Sequence, residues 1–399
     1  MNRQQIATIV NEICEEALGK EAILAEDLTN VVDVGKEILG ALDVDTFTQK
    51  LWNKVGKVWF DERKYKGRGI SIFRDAWEFG SALQKVRGDM PDATINESWR
   101  LQNGVSVDPN VVHIPDVEAK IYNNRVTFEI DITIPEQQVN ESFNSAYELN
   151  KFFSMLYNLV DRKFTLATEQ LIARTFNYAV ADTFYKSYNK QKTDDFSGAT
   201  STRAVNLLKL YNDTLPDDAT PLTADVALIT PEFLRFAAFT LNKYAKRFSD
   251  FTTLFNNRGV ETFTPEDMRR IHYLADFSAA ANVYLQSDTF HNELTKYPEA
   301  VETWSFWQGV SDGGTHPDYD FANVSAIDCF INDGDNPVEI KISGLVAVMT
   351  DYETVAVTNE KRRTPVNYNG KGEFTNYFHK MDAAYMYDDW NNLVAFYIA

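Results

Sequence analysis

The clearest pattern in this chain is a strict alternation. In "RVTFEIDITI", Val126, Phe128, Ile130, Ile132 and Ile134 are separated by polar residues. That is the pattern of a strand with one face on a core and the other in water. With the preceding "KIYNN" it makes a hairpin candidate turning at Asn123-Asn124. A long two-stranded excursion is only marginally stable alone and needs a surface to lie on.

Helical spacing dominates the next stretch. Residues 142–187 open on a capping-box pattern, Ser145 with Glu148. Phe152, Phe153, Leu156 and Val160 then share a face, and Ile172, Phe176, Ala179, Val180 and Phe184 recur at helical spacing. From Phe164 to Tyr185 such a helix is about 33 Å long. "STRAVNLLKLYNDTL" predicts another helix. Val226, Ala227, Leu228 and Ile229 read as a short buried strand, with Thr230 as N-cap and Pro231 as first helical residue. Thr264 and Pro265 repeat that device. Residues 298–337 read as loops, and "PVEIKISGLVAVMTDYETVAVT" as two strands broken near Asp351.

Both ends of the chain are informative. Residues 1–60 carry Ile6, Ile9, Val10, Ile13 and Leu18, then Phe47, Leu51, Val55 and Val58, at helical spacing. This suits either an arm lying across an assembly or an ordinary N-terminal helical layer. The last residues, "NYFHKMDAAYMYDDWNNLVAFYIA", form two aromatic, strand-like runs hinged at "DDWNN". Free termini are usually polar and frayed, so this one reads as an inner element returning to complete a sheet. The element order is mixed α+β, without regular βαβ alternation.

Composition adds limits. The chain has 399 residues, 44% hydrophobic and 13% aromatic, which supports a substantial core and argues against disorder. A net charge of −19 repels phosphate backbones, so ordinary nucleic-acid binding is disfavoured, whereas a container wall that does not trap DNA suits that sign. Cys14 and Cys329 are far apart, which fits a reducing compartment better than a disulfide framework. The N-terminal residues do not read as a signal peptide. No run of about 18 apolar residues is present to span a membrane.

Candidate chemistry is sparse. His113, His272, His291, His316 and His379 show no metal-ligand spacing, so neither metal nor cofactor is expected. "KGRG", Lys66 to Gly69, lacks the GxxxxGK(S/T) frame and reads as a hinge rather than an anion nest. Asp312, Asp318, Asp320, Asp333 and Asp335 sit in turn sequences without the ligand order or closing Glu of a calcium loop. No GxSxG elbow occurs, and no catalytic residue is nominated. Lys361, Arg362 and Arg363 form a short basic spot, expected to contact acidic neighbours across a subunit boundary.

Taken in order, the chain offers a helical arm, a basic Gly-containing hairpin, a long helix, an α+β lobe and returning strands. "MRRIHYLADFSAAANVYLQSDTFHNEL", "GLVAVMTDYETVAVTNEKRRTPVNYN" and "EFTNYFHKMDAAYMYDDWNNLVAFY" resemble segments of tailed-bacteriophage major capsid proteins, those of short-tailed phages of the phi-twenty-nine kind included. The resemblance implies the Hong Kong 97 (Johnson) fold. It divides the chain into an N-terminal arm at 1–63, an extended loop at 64–135, and a peripheral domain with its spine helix at 136–224. An axial domain at 225–346 follows, then return strands of the peripheral domain at 347–399. It implies self-assembly through pentamers and hexamers into an icosahedral or prolate head around double-stranded DNA, in a virion assembled in the host cytoplasm. Implied partners are further copies of the chain, a portal protein, decoration proteins in some heads, and a separate scaffolding protein, since a roughly 60-residue arm is short for a cleaved scaffolding region. On this resemblance Arg74, Trp77, Phe79, Arg87 and Trp99 of the extended loop are expected at inter-subunit contacts, with the basic residues docking on acidic surface of an adjacent subunit. Two alternatives stand beside it: an encapsulin-like nanocompartment shell, and an acidic carbohydrate-active enzyme or binder.

Overall fold

The computed structural model describes residues 11, 69, 71–75, 83–135, 146–188, 196–284, 297–307, 324–333 and 336–399. The expected N-terminal arm apart from Asn11, together with Trp77, Phe79, the Ser145 cap, Cys14, His291, His316, Asp312, Asp318, Asp320 and Asp335, lies outside them. In chain order the elements are β1 (Phe73–Asp75), β2 (Leu83–Gly88), β3 (Val117–Tyr122), β4 (Arg125–Pro135), α1 (Ala146–Ser187), β5 (Ala204–Asn206), α2 (Leu207–Asn212), α3 (Ala224–Ala227) and α4 (Pro231–Arg247). There follow β6 (Arg269–Leu274), α5 (Ala275–Tyr284), β7 (Glu302–Trp304), β8 (Ile327–Asp333), β9 (Asn336–Ile342), β10 (Leu345–Asp351), β11 (Val355–Arg363), β12 (Val366–Asn369), β13 (Phe374–Tyr387) and β14 (Leu393–Tyr397).

Two five-stranded sheets carry the fold. In the first, β13 is the spine. It pairs antiparallel with β11 and then β12 along one side, and with all of β4 along the other, while β1 adds to β11 in parallel. The second sheet runs β5-β14-β10-β6-β7. β10 and β14 are buried along their whole lengths, as continuous apolar strands covered on both faces must be. The chain therefore ends inside a sheet. Phe396 packs edge-on against Tyr244 of α4 at 5.3 Å, and Tyr397 lies 5.1 Å from Phe184 of α1. Consecutive strand residues point to opposite faces, so these two rings glue helices to both sides.

α1 is longer than the periodicity suggested. Its 42 residues make it about 63 Å long. It buries polar residues by turning their hydroxyls onto its own backbone: Thr168, Thr175 and Thr183 donate to the carbonyls of Phe164, Leu171 and Ala179 at 2.7–2.9 Å. Phe176 stacks on Trp307, with ring centroids 5.7 Å apart, and contacts Trp304 at 5.0 Å. Buried His272 packs edge-on against Phe176. Desolvation, with Arg270 nearby, pushes the His272 pKa down to about 3, so it sits neutral in this core.

Several local expectations change. β3 and β4 are not a hairpin. β3 pairs with β2, and β4 pairs with β13. Alternation identifies a strand but not its partner, and Asn123-Asn124 is a corner between two sheets, pinned where the Tyr385 amide donates to the Asn124 carbonyl. Residues 224–227 form the short helix α3 instead of a strand, with Val226 and Ile229 exposed. Thr230 and Pro231 do open α4. After Thr264 comes a turn and then β6, because the Thr264 hydroxyl donates to buried Asp351 and the following residues are drawn into the second sheet. "AVN" in the expected second helix pairs with β14 before α2 begins. The segment 298–337 contains β7 and β8, and β8 pairs antiparallel with β9, Asp333 opposite Asn336.

Gly344 has positive φ (+71°), and a Cβ there would come within 1.9 Å of the Ile398 carbonyl oxygen. Only glycine lets the last residues close over the start of β10.

Candidate functional site: the extended ribbon and its charged joint

β2 and β3 form an isolated antiparallel ribbon, with Leu83 opposite Tyr122, Lys85 opposite Lys120 and Arg87 opposite Glu118. These three pairs share the inner face. On the outer face, Val86, Val117 and Ile121 are exposed. Beyond the ribbon, residues 89–116 contain neither helix nor strand and are exposed throughout. Their large apolar side chains include Ile95 (92% exposed), Leu101 (93%) and Trp99 (71%), with Met90, Val105, Val107, Val111, Val112 and Ile114 also exposed. Single exposed hydrophobics are ordinary, but such a concentration on one projection marks an interaction surface.

A cluster of charges holds the root. Lys85 and Lys120 face each other, which on its own is repulsive. The "DDWNN" bend between β13 and β14 supplies the counter-charge. Lys85 Nζ lies 2.6 Å from Asp388, 3.1 Å from Glu353 and 3.1 Å from the Asn391 side-chain oxygen. Lys120 bonds to Asp389 and lies 3.8 Å from Asp388. Lys186 of α1 bridges Asp182 (2.9 Å) and Asp389 (3.4 Å). Arg258 spans Glu118 of the ribbon (2.7 Å) and Asp389 (3.7 Å). Burial alone would raise the Asp389 pKa; Lys120, Lys186 and Arg258 outweigh it and hold the carboxyl below its ordinary range. The pKa of the Tyr122 hydroxyl is pushed far up, first by burial and then by the neighbouring Asp388.

Among the basic residues singled out in the sequence, Arg74, Arg87, Arg362 and Arg363 make contacts within their own chain. Arg74 is buried, its guanidinium 3.4 Å over the Tyr352 ring and bonded to the Tyr352 carbonyl. Arg87 donates to the Glu261 carbonyl. Arg362 pairs with Asp161 at 3.4 Å and covers Phe164, and Arg363 pairs with Asp382. These cations engage carboxylates, carbonyls and rings of their own chain, because folding brings acidic segments distant in sequence against them. Lys361 is exposed. Trp99 projects from the tip with Arg100 over its ring at 5.3 Å. The charged joint itself was missed by sequence reasoning. Its signal was present in the doubled Asp at the hinge, but no pattern linked that pair to lysines about three hundred residues earlier. Among the described residues no three His, Cys, Asp or Glu side chains gather as metal ligands, and no helix is long and apolar enough to cross a membrane.

The family described as Phi29-like phage major capsid protein matches residues 8–397. No curated relative matches the chain. Among solved structures, a chain in the structure of head fiber and inner core protein gp22 of native bacteriophage P68 is 9% identical, with a TM-score of 0.52 over 84% of this chain and 85% of that one. A chain in the capsid structure of Staphylococcus phage Andhra is 12% identical, with a TM-score of 0.47 over 84% of each.

Proposed function

Because this chain belongs to the Phi29-like phage major capsid protein family, we propose that its apolar ribbon is the device by which one copy engages the next. The chain is a phage major capsid protein of the Hong Kong 97-type α+β fold, a structural component of the virion. Its role is structural rather than catalytic. The observation that carries the assembly reading is the ribbon itself: a projection with exposed Ile95, Trp99, Leu101 and their neighbours, tied to the body by ion pairs from Lys85, Lys120 and Glu118. A monomer gains nothing from exposing that surface, whereas a shell buries it. Stable assembly interfaces bury on the order of 2,000 Å² or more, and many weak contacts sum to high avidity.

On this reading copies form pentamers and hexamers through head-to-tail contacts, in an icosahedral or prolate head around double-stranded DNA, with a separate scaffolding protein and a portal, assembled in the host cytoplasm. Within residues 64–135, the ribbon and its tip at 83–122 serve as the extended loop, and α1 serves as the spine of a peripheral domain. Within 347–399 the pairing supports a division: β11–β13 join β4, while β10 and β14 complete the sheet that holds β6 and β7 of the axial lobe. Trp99 is the loop residue best placed for an inter-subunit contact.

Negative-stain microscopy of the expressed chain, with and without a co-expressed scaffold, tests this. Shells of head size are expected. A stable monomer under both conditions defeats the assembly reading.

A further inference from the structure

β4 is an open edge. The Tyr385 amide donates to the Asn124 carbonyl directly opposite at 3.1 Å, so that pair belongs to the hydrogen-bonded class of an antiparallel ladder, and the classes alternate. Val126, Phe128, Ile130 and Ile132 therefore turn their backbone groups toward β13. Phe378, opposite Asp131, sends its amide the other way, to the Pro365 carbonyl at 3.0 Å, as the alternation requires. The N–H and C=O groups of Thr127, Glu129, Asp131 and Thr133 consequently face away from β13, where no strand among the described residues pairs with them. Natural proteins rarely leave an edge of this length uncovered. Moreover, the row Val126, Phe128, Ile130 and Ile132 on its inner face is only half-buried.

A matching segment exists on the same chain. Val111-Val112-His113-Ile114 lies in the ribbon's tip, rich in β-branched residues and bounded by Pro109 and Pro115. All four residues are exposed, and the backbone bonds recorded in the tip, such as Arg100 to Glu97 and Val105 to Gln102, are local and lie elsewhere. This segment cannot readily fold back on its own β4. β4 begins at the ribbon's root, next to Asn123-Asn124, whereas the tip departs from the far end, six paired residues away, or about 20 Å.

We infer that in the assembled shell Val111–Ile114 of one copy adds as a strand to the outer edge of β4 on the next. The inference rests on the assembly reading above and names its contact. Strand addition supplies affinity through main-chain hydrogen bonds. Because tip and edge are different surfaces, the contact is heterologous and propagates from copy to copy.

The test uses shells of the full-length chain. Asp131→Cys is combined in turn with Val111→Cys, Val112→Cys, His113→Cys and Ile114→Cys, with the single variants controlling for native Cys14 and Cys329. Under oxidation at least one pair is expected to give disulfide-linked multimers on a non-reducing gel, with none from the single variants. In parallel, Asp131→Pro removes an outward N–H without touching the β13 ladder. It is expected to melt like wild type but lose shell formation, whereas Ile132→Pro unfolds the protomer. Shells at wild-type yield from Asp131→Pro, or no pair-specific cross-link in intact shells, overturn the inference. If the wild-type chain forms no shells in the same experiment, the assembly reading itself has failed, and this inference with it.

Discussion

Lys85 Nζ lies 2.6 Å from an Asp388 oxygen, and the Asp388 side chain is completely enclosed. The first residue belongs to the projecting ribbon and the second to the bend that sends the chain into its final strand. Through this contact the part of the molecule that reaches outward is anchored to the part that closes the fold. The neighbouring Lys120, Lys186, Arg258 and Asp389 make it a network rather than a single pair.

Asp388→Asn is expected to destabilise the isolated protomer by about 2 kcal/mol. Breaking a fully buried pair costs about 3–5 kcal/mol; Lys85 retains a quarter of its exposure, so part of its charge remains hydrated. Denaturant unfolding of Asp388→Asn, Lys85→Met and the double variant gives a coupling energy. Strict additivity would show that the two residues do not act together.

Trp99→Ala and Leu101→Ser should leave protomer melting unchanged, since both side chains are exposed and surface changes usually stay within about 0.5 kcal/mol. Shell yield, followed by light scattering, should fall for both. A melting loss without an assembly loss would assign the tip a folding role instead.

Acid should weaken the protomer through its neutral buried histidines. Burial lowers the pKa of His379 to about 4 and that of His272 to about 3, against about 6.5 when unfolded. The unfolded chain then binds protons first. The stability these groups contribute is complete above pH 6.5 and is lost as pH falls through their depressed pKa values. Each loses up to about 1.4 kcal/mol per pH unit in that window. Asp351, raised by burial, works in the opposite direction at lower pH. His379→Gln should flatten the decline of stability between pH 6.5 and 4.5 by roughly one histidine's share; an unchanged slope would contradict this.

Gly344→Ala is expected to disrupt folding, because the added Cβ meets the Ile398 carbonyl at 1.9 Å. Gly259 provides the control: its φ is also positive (+68°), but a Cβ there meets nothing within 4 Å. Gly259→Ala should cost only about 1–2 kcal/mol of left-handed strain. Circular dichroism melts of the two variants separate steric clash from backbone preference.

The residues that could be read directly were those whose neighbours in sequence are also their structural context. The alternating row of β4, the helical face from Ile172 to Phe184, the Thr230-Pro231 start of α4 and the hinge at "DDWNN" all survive in the fold. Each is a local pattern, and local sterics and hydrophobic period suffice to produce it. Val226–Ile229 shows the limit. A short apolar run is compatible with strand or helix, and an exposed helical turn resulted.

Pairing was not local, and so was not legible. Asn123-Asn124 looks like a hairpin turn, yet β4 finds its partner about 250 residues later. Arg74 and Arg87 look like free docking cations until Tyr352 and Glu261 arrive beneath them. By itself the sequence determined that this chain would build an α+β body with a long helix and a C-terminus fit for a sheet interior, because burial periodicity is written residue by residue. Which strands meet, and which charges are left for another copy, depended on long-range closure, where hydrogen bonds and ion pairs are chosen by what the whole chain brings within reach.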